Sequence, residues 1–182
     1  MDEPHPRTFA RWRREANAGP GYSQIPADGA CLSAFLLVRD PADPGRVALG
    51  SPSPEVDWEK IGSLGPARVA RIGDQLMLPS CHLVEYEAPE AAAARIAVEQ
   101  LERSDLEITG PLVVSEAYGR PGAAEQHWDL HFLFGTTWPA GVPLAARPWK
   151  QIGFLDPRTV PRDRYARSHD DIVRLAYFET PT

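Results

Sequence analysis

The sequence has few cysteines, no long apolar run and no excess of positive charge, and each shortage argues against a class of protein. Two cysteines, Cys31 and Cys81, are too few for a disulfide framework or a zinc knuckle. No apolar run approaches the ~18 residues that a membrane-spanning helix needs, so no membrane partner is expected. A net charge of -6 argues against a surface that binds nucleic acid by neutralising phosphates.

The beginning of the chain also lacks the order of a secretory signal. Met1 to His5 is acidic and polar, where a signal peptide is first basic and then apolar. With so few cysteines, a cytoplasmic location is therefore predicted. The length of 182 residues, 43% of them hydrophobic, suits one globular domain with extensions. We expect an N-terminal extension at 1–28, a domain at 29–178 and a tail at 179–182.

Hydrophobic patterning predicts a domain with both strands and helices. Apolar or alternating runs predict strands at 31–38, 46–49, 75–79, 112–118, 128–135 and 149–155. Residues 50–66 are interpreted as a loop anchored by Trp58. Ser168 is the predicted N-cap of a final helix that runs through Ala176. This order of elements indicates an α+β arrangement around a mixed sheet, rather than a regular βαβ winding.

A central helix is predicted from Pro89 to about Arg103, because proline suits the first position of a helix. One helical stripe is apolar and is predicted to face the core; its members are Ala91, Ala94, Val98 and Leu101. A neighbouring stripe is charged and is predicted to face a cleft; its members are Arg95, Glu99 and Glu102.

The segment at 81–103 resembles the Nudix box of the Nudix hydrolase superfamily, G-x5-E-x7-R-E-U-x-E-E-x-G-U, with U a bulky aliphatic residue. With Cys81 in the place of the first glycine, Glu87 matches the first acid and Arg95 the arginine. Glu99 then matches the first of the paired glutamates. The resemblance extends coarsely over 28–176 and implies a Nudix-like α/β/α sandwich, a mixed sheet between helices, in a single domain.

The resemblance also implies a chemistry, which is hydrolysis of a phosphoanhydride bond in a nucleoside-diphosphate-linked substrate with Mg²⁺ or Mn²⁺. Glu99 and Glu87 would hold the metal or the attacking water, and Arg95 would organise the loop. These three are the candidate catalytic residues, and an additional acid could come from Asp129, Glu125 or Glu85. The same pattern also fits a structural role without catalysis, in which Arg95 pairs with Glu87 as a loop clamp.

The box departs from the family pattern at the positions of its acids. Ile96 and Gln100 replace two glutamates, and Glu102 replaces the late glycine. Positions 96, 99 and 100 share one helical face, so the family's three carboxylates become Ile, Glu and Gln. One carboxylate and one amide hold Mg²⁺ poorly. These departures favour an alternative function, a catalytically inactive Nudix-fold module that binds a ligand or a protein partner.

Polar residues alternate along the predicted strand at 128–135 and extend to the residue before it. His127, Asp129 and His131 share one side of this segment, with apolar residues on the other. They are interpreted as the lining of a cleft, as a transition-metal site or as a solvent-facing strand side. The candidate residues for binding a nucleotide-like small molecule are His82, His127, Trp128 and Asp129. A thiol at Cys81 is interpreted as a small buried side chain rather than a nucleophile.

Overall fold

The computed structural model of the protein describes residues 30–84, 86–118, 128–144, 147–166 and 169–177. Its strands are β1 (Ala30–Arg39), β2 (Val47–Pro52), β3 (Ser80–His82), β4 (Thr109–Tyr118), β5 (Trp128–Thr137) and β6 (Trp149–Leu155). Its helices are α1 (Trp58–Gly62), α2 (Pro66–Ile72), α3 (Pro89–Leu101) and α4 (His169–Tyr177), with a 3₁₀ turn at Arg162–Arg164. The predicted extension at 1–28, the tail at 179–182 and the Ser168 cap lie outside the described residues.

The central strand of the six-stranded mixed sheet is β1. It pairs in parallel with β5 along its whole length, from Ala30 opposite Trp128 to Arg39 opposite Thr137. β4 pairs antiparallel with β5, and β2 pairs antiparallel with β6, which gives the order β4-β5-β1-β2-β6. Because both faces of β1 are covered, its sequence is a continuous apolar run rather than an alternating one.

The sheet divides along β1, because two different strands pair with two different parts of the same edge of β1. β2 meets β1 in register only at Arg39 and Val47, whereas β3 pairs with β1 farther back, where His82 lies opposite Ser33. The strand predicted at 75–79 is therefore wrong in position. Leu76 and Met77 form only isolated bridges, to two different partners, and β3 begins after the proline. The chain here crosses from one half of the divided sheet to the other, so it stays extended without a continuous ladder.

Helices cover both faces of the sheet. On one face, α3 packs on alternate residues of β1 through a core that includes Ala34, Leu36, Val38, Ile96 and Leu101. On the other face, α4 packs on the intervening residues through a core that includes Phe35, Leu37, Leu133, Ile172 and Val173. The predicted fold class, an α/β/α sandwich with a mixed sheet, is confirmed. Within the described part of the chain, no helix combines the length and apolarity that crossing a bilayer requires.

Residues 50–66 were predicted to form a loop, and that prediction is wrong, because α1 and the start of α2 lie there. They fill the point where the sheet divides, in a third core built around Trp58, Met77 and Trp149. The Trp58 and Trp149 rings meet edge to face, with centroids 4.9 Å apart. A helix as short as α1 is not stable in isolation. Tertiary packing of Trp58 stabilises α1, and the sequence has no helical periodicity from which this helix could be predicted.

The apolar stripe predicted for α3 is wrong for three of its four members, and only Leu101 is buried as predicted. Ala91 and Ala94 are exposed and Val98 is 50% exposed. The buried face is displaced by one position from the predicted one, and its members are Ala92, Ala93, Ile96, Ala97, Gln100 and Leu101. Four consecutive alanines make the faces of the helix equally apolar in the sequence. The buried face also contains a glutamine, so counting apolar residues does not identify it. Glu102 ends the helix in a left-handed conformation, with φ 56°.

Candidate functional site

Arg95 ties the loop of the box to α3. Its Nε donates to Glu87 Oε1 at 2.7 Å and its Nη2 to Glu87 Oε2 at 2.9 Å, a two-pronged pairing suited to a guanidinium. Nη2 also donates to the backbone carbonyl of His82 at 2.9 Å, and Nη1 to Glu99 Oε2 at 3.4 Å. The hydrogen bond with Glu87 raises the pKa of Arg95 above its ordinary range. The structure thus brings together residues 87, 95 and 99, as the box pattern implies.

The second half of this clamp is a tight turn. Glu87 Oε2 accepts the backbone N–H of Val84 at 2.9 Å, and the N–H of Glu87 donates to the Val84 carbonyl at 3.0 Å. Within the turn, Tyr86 has φ 66° and is 92% exposed. Both carboxylate oxygens of Glu87 therefore already accept N–H donors. α3 has no side-chain cap at its N-terminus, and the Arg95–Glu87 pair joins the preceding loop to this helix.

The two positions where the family carries further glutamates face the interior. Ile96 is 0% exposed and packs in the core beneath α3. Gln100 is also 0% exposed, and its side chain bonds to the backbone of Ser80 and Ile61. Of the three positions on this helical face, only Glu99 keeps access to solvent, with 34% of its side chain exposed.

These residues do not fit a divalent cation bound at the box. Mg²⁺ and Mn²⁺ need several oxygen ligands at one point, and at least one of these is a carboxylate with free oxygens. Ile96 offers none, the amide of Gln100 is used by the backbone, and Glu87 is used by Arg95 and Val84. Within the described ranges, no group of three or more His, Cys, Asp or Glu is arranged to hold a metal ion.

Two of the candidate ligand-binding residues, His82 and Asp129, lie on the opposite face of the sheet from α3. Cys81 packs in the core beneath α3, so His82, the next residue of β3, faces the other way. In the register of the sheet, Ser33 lies between His82 and His131. Asp129 lies opposite Cys31 on the same side. We call this group the polar face; its members are Cys31, Ser33, His82, Asp129 and His131.

The polar face is largely buried, so its interpretation as a solvent-facing strand side is wrong for His131. That imidazole is buried and meets the Phe35 ring edge to face, with centroids 5.2 Å apart. On its other side, Phe35 contacts His169 of α4 at 5.3 Å between centroids. β5 therefore has buried side chains on both faces of the sheet. Alternation of polar and apolar residues along a strand is usually typical of a sheet with one face exposed to solvent.

Burial also controls the titration of the two thiols and of His169. It raises the pKa of Cys31 above its ordinary range, with the neighbouring Asp129 carboxylate acting in the same direction. It raises the pKa of Cys81 to about 12, although Arg95 acts in the opposite direction. Both groups are therefore neutral thiols at physiological pH and poor nucleophiles. Burial lowers the pKa of His169 to about 3, and its Nδ1 accepts the Leu78 N–H at 3.1 Å.

The candidates from the sequence thus fall into two groups on opposite faces of the sheet. Glu87, Arg95 and Glu99 are together, and His82 and Asp129 lie on the other face. Trp128 is the first residue of β5, while His127, Glu85 and Glu125 lie outside the described residues. The transition-metal site that needs His127 stays a prediction. The hydrogen bonds of the Gln100 side chain were not predicted from the sequence, although a glutamine at a position where the family carries glutamate was a signal for them.

Comparison with solved structures identifies the fold. The E. coli dihydroneopterin triphosphate pyrophosphohydrolase superposes with a TM-score of 0.55 and 13% identity, covering 82% of this chain and 96% of that one. The C. elegans Ap4A hydrolase gives 0.51 and 12%, covering 83% and 99%. A NUDIX hydrolase from Nitrosomonas europaea gives 0.50 and 12%, covering 80% and 86%. No protein-family model and no curated protein matches the sequence. At these identities the likeness establishes a Nudix-type fold and leaves the activity open.

Proposed function

We propose that residues 29–178 form a catalytically inactive Nudix-fold module that binds a nucleotide-like small molecule. The burial of Ile96 and Gln100, both 0% exposed, carries this proposal. In the family pattern these positions present carboxylates to a metal. Here one is part of the apolar core and the other is bonded to the backbone, so the box works as a structural element.

The polar face is the proposed ligand-binding surface, and a ligand would reach it at Asp129, its one half-buried member among otherwise buried residues. It offers two imidazoles, a hydroxyl and a carboxylate on three adjacent strands, and such groups hydrogen-bond to the base and ribose edges of a nucleotide. Arg68 of α2 places a positive charge close enough to this face to affect the pKa of Cys31. A positive charge beside donors and acceptors of both kinds suits an anionic, polar ligand.

The test measures binding and turnover with the same compounds. A panel of nucleoside diphosphates and nucleoside-diphosphate sugars is titrated by calorimetry, in EDTA and in Mg²⁺, while formation of the nucleoside monophosphate is monitored. We expect at least one compound to bind in EDTA and no compound to be hydrolysed. In Asp129→Asn, binding of that compound weakens by ~10-fold or more, the effect of losing one hydrogen bond to a charged group.

Asp156→Asn is the matched control, because it makes the same charge change outside the polar face. Asp156 forms a surface ion pair with Arg158. It is expected to leave ligand affinity unchanged. Metal-dependent turnover by the wild-type protein would contradict the proposal, and so would the absence of binding across the whole panel.

A second candidate function is metal-dependent hydrolysis of a nucleoside-diphosphate-linked substrate. One observation favours it, the convergence of Glu87, Arg95 and Glu99 with Glu99 still partly exposed. The additional oxygens would come from Glu85 or Glu125, because Asp129 lies on the opposite face of the sheet from Glu99. In that case formation of the nucleoside monophosphate would require Mg²⁺ or Mn²⁺, and its rate would fall by ~100-fold or more in Glu99→Gln. An unchanged rate in that variant would exclude Glu99 from the chemistry.

A further inference from the structure

The side chain of Gln100 connects three elements at one buried point. Its Nε2 donates to the carbonyl of Ser80 in β3 at 2.7 Å and to the carbonyl of Ile61 in α1 at 2.8 Å. Its Oε1 accepts the N–H of Ser80 at 3.1 Å. Its backbone carbonyl accepts the indole N–H of Trp149, at the start of β6, at 2.7 Å. Every hydrogen of the amide is therefore used.

This set of bonds depends on the amide group and not merely on a polar side chain of this size. A carboxylate has the same shape but no N–H, so it cannot donate to the Ser80 and Ile61 carbonyls. With a carboxylate at position 100, three buried oxygens would face one another without a proton between them. That arrangement is strongly unfavourable in a dry site. A hard divalent cation would relieve it, because carbonyl and carboxylate oxygens are the ligands it prefers.

We infer that the Gln100 amide makes the bonds that a divalent cation would make at this point, and so ties β3, α3 and α1 together without metal. This inference rests on the proposed function, in which the box is structural. α1 lies against α3 at this point, because a Cβ added at Gly62 would be in van der Waals contact with Gln100 Nε2, at 3.6 Å. α1 thus covers position 100 of α3.

Gln100→Glu is the decisive variant, and its thermal unfolding is measured in EDTA and in millimolar Mg²⁺, Mn²⁺ or Ca²⁺. We expect its melting temperature in EDTA to fall by ~5 °C or more, from the loss of two donors and the burial of a charge. We expect added cation to restore much of that loss in a saturable manner, since an ion that binds only the folded state stabilises it. The wild-type melting temperature should not respond to the same cations.

Two variants separate this effect from general damage and from added charge. Gln100→Met removes the same hydrogen bonds but cannot hold a hard cation, so it should lose stability without recovering it. Gln75→Glu makes the same chemical change at a half-buried site, where the Gln75 side chain donates to the Asp163 carbonyl at 3.3 Å, and should show neither effect. Equal responses of the Glu and Met variants at position 100, or a Glu variant as stable as wild type in EDTA, would overturn the inference.

A measurement on the wild-type protein covers the case in which Gln100→Glu does not fold. Mn²⁺ is added while the NMR signals of the Gln100 side-chain amide and the Ser80 backbone amide are followed. We expect neither signal to be broadened selectively, and selective broadening of both would mean that a cation binds there. Turnover by the wild-type protein with these signals unaffected would instead contradict only the proposed function, since the tie would still be free of metal.

Discussion

At the scale of single residues, the box is held by one arginine whose shape matters more than its charge. Arg95 bonds to both oxygens of Glu87 and to the His82 carbonyl, three acceptors that lie around a planar fork. Lysine carries the same charge on a flexible stem and presents it at one point. It cannot reach the carboxylate with two parallel bonds and keep the carbonyl as well.

Arg95→Lys is therefore expected to destabilise the protein by ~1–3 kcal/mol, the effect of leaving partly buried acceptors unpaired. The free energy of unfolding is measured by urea denaturation. Arg158→Lys is the matched control, because Arg158 pairs with Asp156 at the surface and its side chain is 57% exposed. That change should cost less than ~0.5 kcal/mol. Similar losses in the two variants would show that the Arg95 clamp contributes no more than a surface pair.

The Arg95–Glu87 pair could be predicted from the sequence, because the two residues are close together along the chain. Glu87 and Arg95 lie on one loop and the helix that follows it, so a pattern of residues over a short segment predicts their contact. The tie made by Gln100 is different. Its partners Ser80 and Ile61 are 20 and 39 residues away along the chain, and a single sequence carries no signal for such distant contacts.

At the scale of elements, the close packing of β2 on β6 positions the tryptophan that bonds to α3. Gly50 in β2 lies directly beneath the Trp149 ring. A Cβ added at Gly50 would lie 2.7 Å from that ring and 2.6 Å from the Gln151 carbonyl oxygen. The ring cannot move far, because its Nε1 donates to the Gln100 carbonyl and its edge meets Trp58. A side chain at position 50 must therefore displace backbone or a packed indole.

Gly50→Ala is expected to destabilise the protein by ~1–3 kcal/mol through this overpacking. Gly153→Ala is the control within the same pair of strands, because a Cβ added there would meet no atom within 4 Å. We expect the control to be neutral or slightly stabilising, since alanine is less flexible than glycine in the unfolded chain. Urea denaturation of both variants provides the measurement, and equal stability of the two would contradict the packing argument.

At the scale of the whole molecule, His169 links the packing of α4 to pH. Its pKa falls from an ordinary 6.5 to about 3, chiefly because the imidazole is buried. The unfolded chain therefore binds a proton at His169 over a pH range in which the folded protein does not. The stability contributed by the neutral imidazole is complete above pH 6.5 and is lost as pH falls toward 3.

This protonation should make the free energy of unfolding fall by up to ~1.4 kcal/mol per pH unit within that range. His169→Asn tests the assignment, because an amide oxygen can accept the Leu78 N–H in place of Nδ1 but does not titrate there. We expect the variant to be less stable than wild type at neutral pH and to lose stability less steeply on acidification. Parallel pH profiles for the two proteins would exclude His169 as the source.

The sequence by itself determined most of the strands along the chain, the central helix and the Glu87–Arg95–Glu99 grouping, because alternation, helical period and short-range motifs are local properties. Only the tertiary structure decided which face of α3 is buried, since four alanines left that face undefined until β1 and α1 packed against it. It also decided that residues 50–66 contain helix and that His82 and Asp129 lie away from α3. Those outcomes depend on how the sheet divides along β1, and that division is made by contacts between residues far apart in the chain.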